Sequence, residues 1–162
     1  MASVATIEIC TDHTSFSAGH FIIFSNLKRE NLHGHNYIVH ISLTTEIGNE
    51  GMTFDYHDYE DRLNAICQSL HTRFLLPNTS PHMRIESEGA YYNCYYADEK
   101  IPFLKRDVVL MPMANISLEE LSHWFLKHFT EDQQDLKKNS ISAISVKISS
   151  TPGRWGGASW VR

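Results

Sequence analysis

Residues 32–47 read LHGHNYIVHISLTTEI. From His35 onward apolar and β-branched residues alternate with polar ones, the period of a half-buried strand. In a strand, residues i and i+2 point to the same face. His33 and His35, at the start of this run, therefore present two imidazoles to one side, with Gly34 between them carrying no side chain.

The flanking segments read in the same way. Residues 4–11 (VATIEICT) and Phe16–Phe24 alternate as strands, and 25–34 is a polar loop. The turn GNEG (48–51) closes the long strand, and MTFDY (52–56) is predicted to add a short one. Tyr59, Leu63, Ile66, Cys67 and Leu70 then recur at helical spacing, which predicts a helix over 57–71. Residues 84–96 are predicted to form a hairpin around Ser87-Glu88-Gly89. Ser117 and Glu120 form a capping-box pattern ahead of Leu121, Trp124, Phe125 and Phe129, which marks a second helix. Residues 137–139 read as a turn and Ile141–Ser149 as the final strand. The order, strands first and helices after, indicates an α+β fold.

His20 ends the second strand, where antiparallel pairing would bring it to His33 and His35. Three histidines leave one tetrahedral position open, which is the catalytic rather than the structural zinc pattern. The other seven histidines (13, 40, 57, 71, 82, 123 and 128) have no such spacing and read as surface or satisfied polar residues.

Composition narrows the function. The 162-residue chain has formal charge -5, and its Lys and Arg are scattered, with only the isolated pairs Lys28-Arg29, Lys105-Arg106 and Lys137-Lys138. It lacks the clustered basic surface that nucleic-acid binding requires. Cys10, Cys67 and Cys94 are widely spaced and odd in number, which argues against a disulfide framework or a zinc–thiolate site. Neither a signal peptide nor an apolar span long enough for a membrane is present, so the expected setting is cytoplasmic.

FSAGH (16–20) followed by ENLHGHNY (30–37) resembles the 6-pyruvoyl-tetrahydropterin synthase and 6-carboxy-tetrahydropterin synthase family. The likeness continues through TFDY (53–56), ISLEEL (116–121) and VKISSTPG (146–153), nearly the whole chain. It implies a tunnelling fold: a four-stranded antiparallel sheet with two helices on one face, closed into a β-barrel by homotrimers or homohexamers with active sites between subunits. It also implies one domain over 1–162, interrupted by an insertion at about 80–112.

The implied function is a zinc-dependent lyase acting on dihydroneopterin triphosphate or a related pterin, with Zn2+ on His20, His33 and His35. The family's usual upstream cysteine is missing, and Glu30 stands three residues before His33. That resembles a subgroup with an E-x-x-H-G-H pattern linked to side-chain cleavage, with Glu30 as the base. The alternative for Glu30 is a solvated loop carboxylate beside Lys28 and Arg29.

Two positions depart from the family. His71 and Thr72 stand where an Asp-His pair is usual. His71 is then either a displaced acid–base group or only a cation at a helix C-terminus. Ser149 and Ser150 stand where a pterin-binding Glu is usual, and Glu119 is the remaining candidate for one edge of the ring. These changes favour an alternative reading, a repurposed zinc lyase or cyclase with a non-pterin substrate. A third is a non-catalytic, metal-stabilised oligomer. Tyr91, Tyr92, Tyr95 and Tyr96 in the insertion suit either a ring-binding pocket or an extended hairpin, and RWGGASW (154–160) either a pocket cover or a subunit contact.

Overall fold

The computed structural model describes residues 3–162. Its centre is the predicted strand, β3 (His33–Glu46). On one side β3 pairs antiparallel with β9 (Ile141–Thr151), which pairs antiparallel with β10 (Arg154–Val161). On its other side lie two shorter strands end to end. β1 (Val4–Ile9) pairs with the second half of β3 and β2 (Ser15–His20) with the first. Between them the Thr14 carbonyl accepts from the Val39 amide, so the ladder continues across the bend. The result is a four-stranded antiparallel arrangement, as expected.

The sheet then extends beyond expectation. β4 (Arg73–Pro77) runs parallel to β2, and β8 (Val108–Met111) runs parallel to β4. β5 (Arg84–Glu88), β6 (Tyr91–Tyr96) and β7 (Glu99–Leu104) form a separate three-stranded sheet, where a single hairpin was expected.

Tyr37, Val39, Ile41 and Leu43 on β3 meet Ile144, Val146 and Ile148 on β9 to make the apolar face. A register shift at Thr44/Thr45 lets Ile141 join that face as well. Helix α1 (His57–Leu70) covers the face with Tyr59, Leu63, Cys67 and Leu70. Helix α2 (Leu118–Thr130) covers it with Leu121, Phe125 and Phe129. Ser117 caps α2, its Oγ accepting from the Glu120 amide at 3.2 Å.

Four expectations need correction. MTFDY forms no strand, because the Asp55 carboxylate accepts from the His57 amide and turns the chain into α1. The second strand stops at His20 rather than Phe24. Beyond it the Ile22 and Ile23 amides donate to the Glu30 and Asn115 side chains instead of a ladder. The turn at 137–139 is the end of a short helix, α3 (Gln133–Lys138), capped by the Asp132 carboxylate. The strand through Ser149 is not the last, since RWGGASW forms β10. All three cysteines are unpaired, and no described helix is long and apolar enough to cross a membrane.

Candidate metal centre and cavity

The β2–β3 register sets His20 directly opposite His33. His35 lies two residues further along the same face of β3. The three imidazoles can each offer one nitrogen, all within 4.8 Å of one another. Two of the rings are oriented by a backbone carbonyl. His20 Nδ1 donates to the Ile116 carbonyl at 3.0 Å, and His33 Nδ1 donates to the Asn31 carbonyl at 2.8 Å. Both bonds fix the tautomer that leaves Nε2 as a bare lone pair, the outer support expected of a metal ligand.

The atoms facing the centre fit a cation. His20 is 5% exposed, and its Nε2 is buried with no hydrogen-bond partner. His33 Nε2 and His35 Nε2 lie 3.0 Å apart. Nitrogens held at zinc bond lengths in a tetrahedron are about 3.4 Å apart, so the spacing is close to a ligating one. Burial, then the neighbouring His33, pushes the His20 pKa down to about 4. Burial and His33 lower that of His35 also. Neutral imidazoles are the form that binds metal.

Glu30 reaches the same centre. Its Oε2 accepts from the Ile22 amide at 3.0 Å and stands 3.7 Å from His33 Nε2. Together these groups line a cavity of about 470 Å³. Its remaining wall comes from the start of α2, including Glu119, and from Ser150, Thr151 and Arg154 at the β9–β10 turn.

Other expected residues are placed differently. Ser150 lines the cavity, whereas Ser149 does not; it is buried and donates its hydroxyl to the Thr151 carbonyl at 2.6 Å. Alternation separates them, since Ser150 shares the parity of Val146 and Ile148. His71 is not in the cavity wall. It is exposed after α1, with Nδ1 accepting from the Ser17 amide at 3.1 Å.

Several lining residues were not singled out from the sequence as site residues, among them Tyr37, Thr151 and Arg154. Tyr37 sits two positions beyond His35, and its hydroxyl is buried without a partner. Its signal was the same i, i+2 spacing as the histidines. Thr151 had no local signal, whereas Arg154 opens the RWGGASW stretch read as either a pocket cover or a subunit contact, and the fold-back of β10 brings it to the cavity.

A mostly antiparallel sheet with helices on one face, and at its end three histidines that could hold a metal ion, define an α+β protein with a candidate metal centre. Residues 9–158 match the 6-pyruvoyl tetrahydropterin synthase family, to which the chain belongs. A relative in Methanocaldococcus jannaschii, provisionally named 6-carboxy-5,6,7,8-tetrahydropterin synthase, is 25% identical over 140 residues, covering 86% of this chain and 85% of its own. The crystal structure of 6-pyruvoyl tetrahydropterin synthase from Plasmodium vivax superposes with a TM-score of 0.93 at 28% identity over 99% of both chains. That of the Plasmodium falciparum enzyme gives 0.92 at 26% identity, also over 99% of both. The tunnelling fold expected from the sequence is thus the fold of this chain.

Proposed function

We propose that the chain is a zinc-dependent lyase acting on dihydroneopterin triphosphate or a closely related pterin, with Glu30 as its base. The observation that carries this reading is the convergence of Glu30 with His20, His33 and His35 in one cavity. The three histidines would hold Zn2+, which when bound supplies Lewis-acid polarisation of the substrate's side-chain oxygens.

The protein's own groups do the rest. The Ile22 amide holds Oε2 of Glu30, the oxygen that faces His33, and so orients the carboxylate to take a proton from the substrate side chain. A proton taken from a hydroxyl allows a carbonyl to form as the adjacent carbon–carbon bond breaks. A proton taken from carbon allows the triphosphate to leave. Other members support the role of a glutamate: two Plasmodium vivax structures, 28% identical, carry replacements of a glutamate described as a catalytic residue.

His71 lies outside its own chain's cavity, so any acid–base work by it would serve a neighbouring copy. A homotrimer or homohexamer with barrel-closed sheets and sites between subunits accords with that placement. A single domain with an inserted segment at about 80–112 and a cytoplasmic setting complete the reading.

A second reading has its own support. The cavity wall offers the donors Ser150, Thr151 and Arg154, with Glu119 as the carboxylate opposite the start of β10. A pterin's amino and N–H edge needs acceptors, and hydroxyls cannot reproduce a bidentate carboxylate. A non-pterin substrate with a more acceptor-rich edge fits that wall.

The test is to incubate zinc-loaded protein with dihydroneopterin triphosphate and read the products by mass spectrometry. A pyruvoyl, carboxy or hydroxymethyl pterin, absent with Glu30→Gln, is expected. No turnover and no quenching of pterin fluorescence, at about one zinc per chain, would favour the second reading.

A further inference from the structure

Glu30 sits on an irregular segment, residues 21–32, that spans β2 to β3 with no regular strand of its own. One side of this segment is pinned by Asn115, which accepts from the Ile23 amide at 3.1 Å and donates to the Ile23 carbonyl at 2.8 Å. The other side is gripped by the three-stranded sheet.

Tyr96 and Glu99 flank the β6–β7 turn and are direct cross-strand partners. Such partners project from the same face of a hairpin. Both reach the segment. The Tyr96 hydroxyl donates to the Ser25 carbonyl at 2.7 Å. The Glu99 carboxylate accepts from Arg29 Nε at 2.7 Å. Arg29 in turn donates through Nη1 to the carbonyl of Glu30 at 2.8 Å, and its guanidinium lies against the Phe21 and Tyr96 rings. The contact therefore runs Glu99, Arg29, Glu30 backbone, and ends at the carboxylate that faces His33.

We propose that Tyr96 and Glu99 are positioning residues for Glu30, and that the inserted sheet is a brace for the active-site base. The inference rests on the reading of Glu30 as base. Apart from the brace, residues 24–29 are held by the narrow turn in which the Phe24 and Ser25 amides donate to the Lys28 carbonyl and the Leu27 amide donates to Ser25 Oγ, and Glu30 is tied to Ile22 by one backbone bond, its amide donating to the Ile22 carbonyl at 2.8 Å. With the brace removed, the Glu30 carboxylate would sample positions away from His33. A displacement of about 1 Å at a reacting group can cost a factor of about 100 in rate.

The experiment compares Glu99→Ala, Glu99→Gln, Tyr96→Phe and Glu30→Gln in the full, zinc-loaded chain. It reads kcat and KM together with hydrogen exchange of the Ile22 amide, which donates to Glu30 itself. Glu99→Ala and Tyr96→Phe should each lower kcat about tenfold with KM nearly constant, and should speed Ile22 exchange while β3 amides stay protected. Glu99→Gln, which keeps an oxygen for Arg29 Nε, should recover part of the loss. In a Glu30→Gln background the same changes should add nothing.

Unchanged kcat and unchanged Ile22 exchange in both brace variants, with Glu30→Gln inactive, would overturn the brace and leave the base intact. Faster Ile22 exchange in both, with Glu30→Gln fully active, would support the brace and overturn the base.

Discussion

His20 and His33 face each other as direct partners across the β2–β3 ladder, with ring centroids 4.5 Å apart. Two candidate metal ligands are thus fixed by backbone pairing rather than by a flexible loop. Replacing His20, His33 or His35 by Ala should lower zinc affinity by more than about 100-fold, beyond what loss of an outer supporting group costs. Competition against a chromophoric chelator measures it. Parent-like affinity in all three variants would mean that the cluster is not the metal site.

Stability of the metal-free protein should fall with acid. The His20 pKa is about 4 when folded, against an ordinary value of 6.5. Between those values the unfolded chain binds more protons than the folded one, so stability rises with pH there. Acidification from pH 7 to 4 should therefore remove up to about 3 kcal/mol through this residue. Urea titrations of chelated protein at pH 7, 5.5 and 4 test it. Replacement of His20 by Asn should flatten the slope.

Tyr37→Phe should leave the metal-free protein as stable as before, or more stable. The Tyr37 hydroxyl is buried without a partner, and burial raises its pKa, so the group stays neutral and unsatisfied. Leaving such a group unpaired costs about 1–3 kcal/mol, which Phe avoids while keeping the stack on Phe16. Loss of more than about 1 kcal/mol in a denaturant titration would show that the hydroxyl has a partner in solution.

Gly156→Ala should damage the cavity from outside it. A Cβ there would fall 2.5 Å from Leu118 Cβ and 2.8 Å from the Leu118 carbonyl carbon. Because backbone as well as side chain is struck, the start of α2 must shift, and Glu119 shifts with it. Overpacking of this kind costs about 1–3 kcal/mol. A lower melting temperature together with a raised KM is expected, since Glu119 and Arg154 line the same wall.

What the sequence disclosed was what short-range geometry encodes. Alternation marked β3, and the i, i+2 rule together with antiparallel pairing assembled the histidines. Parity would also have chosen Ser150 over Ser149, had Val146 and Ile148 been used to set the face. β4 and β8 were missed because FLLP and VVLM are short apolar runs without alternation, as parallel strands covered on both sides tend to be. β7 and β10 carry glycine, proline or charges that weaken a strand signal. For the stretch that begins at Arg154 the sequence left pocket cover and subunit contact open, because its neighbours in space are set by how β10 returns along β9.

The division of labour along β3 has a consequence for how such a protein can change over generations. Val39, Ile41 and Leu43 are fully buried, whereas His33 and His35 remain partly open to solvent, and Tyr37 marks the border. Heritable variation toward the first end of the strand, and at the matching end of β9, alters chemistry at small cost to folding. Variation past Tyr37 alters folding and leaves chemistry alone. A lineage built on this strand can therefore vary the cavity wall at Ser150 and Arg154 while its scaffold is passed on unaltered.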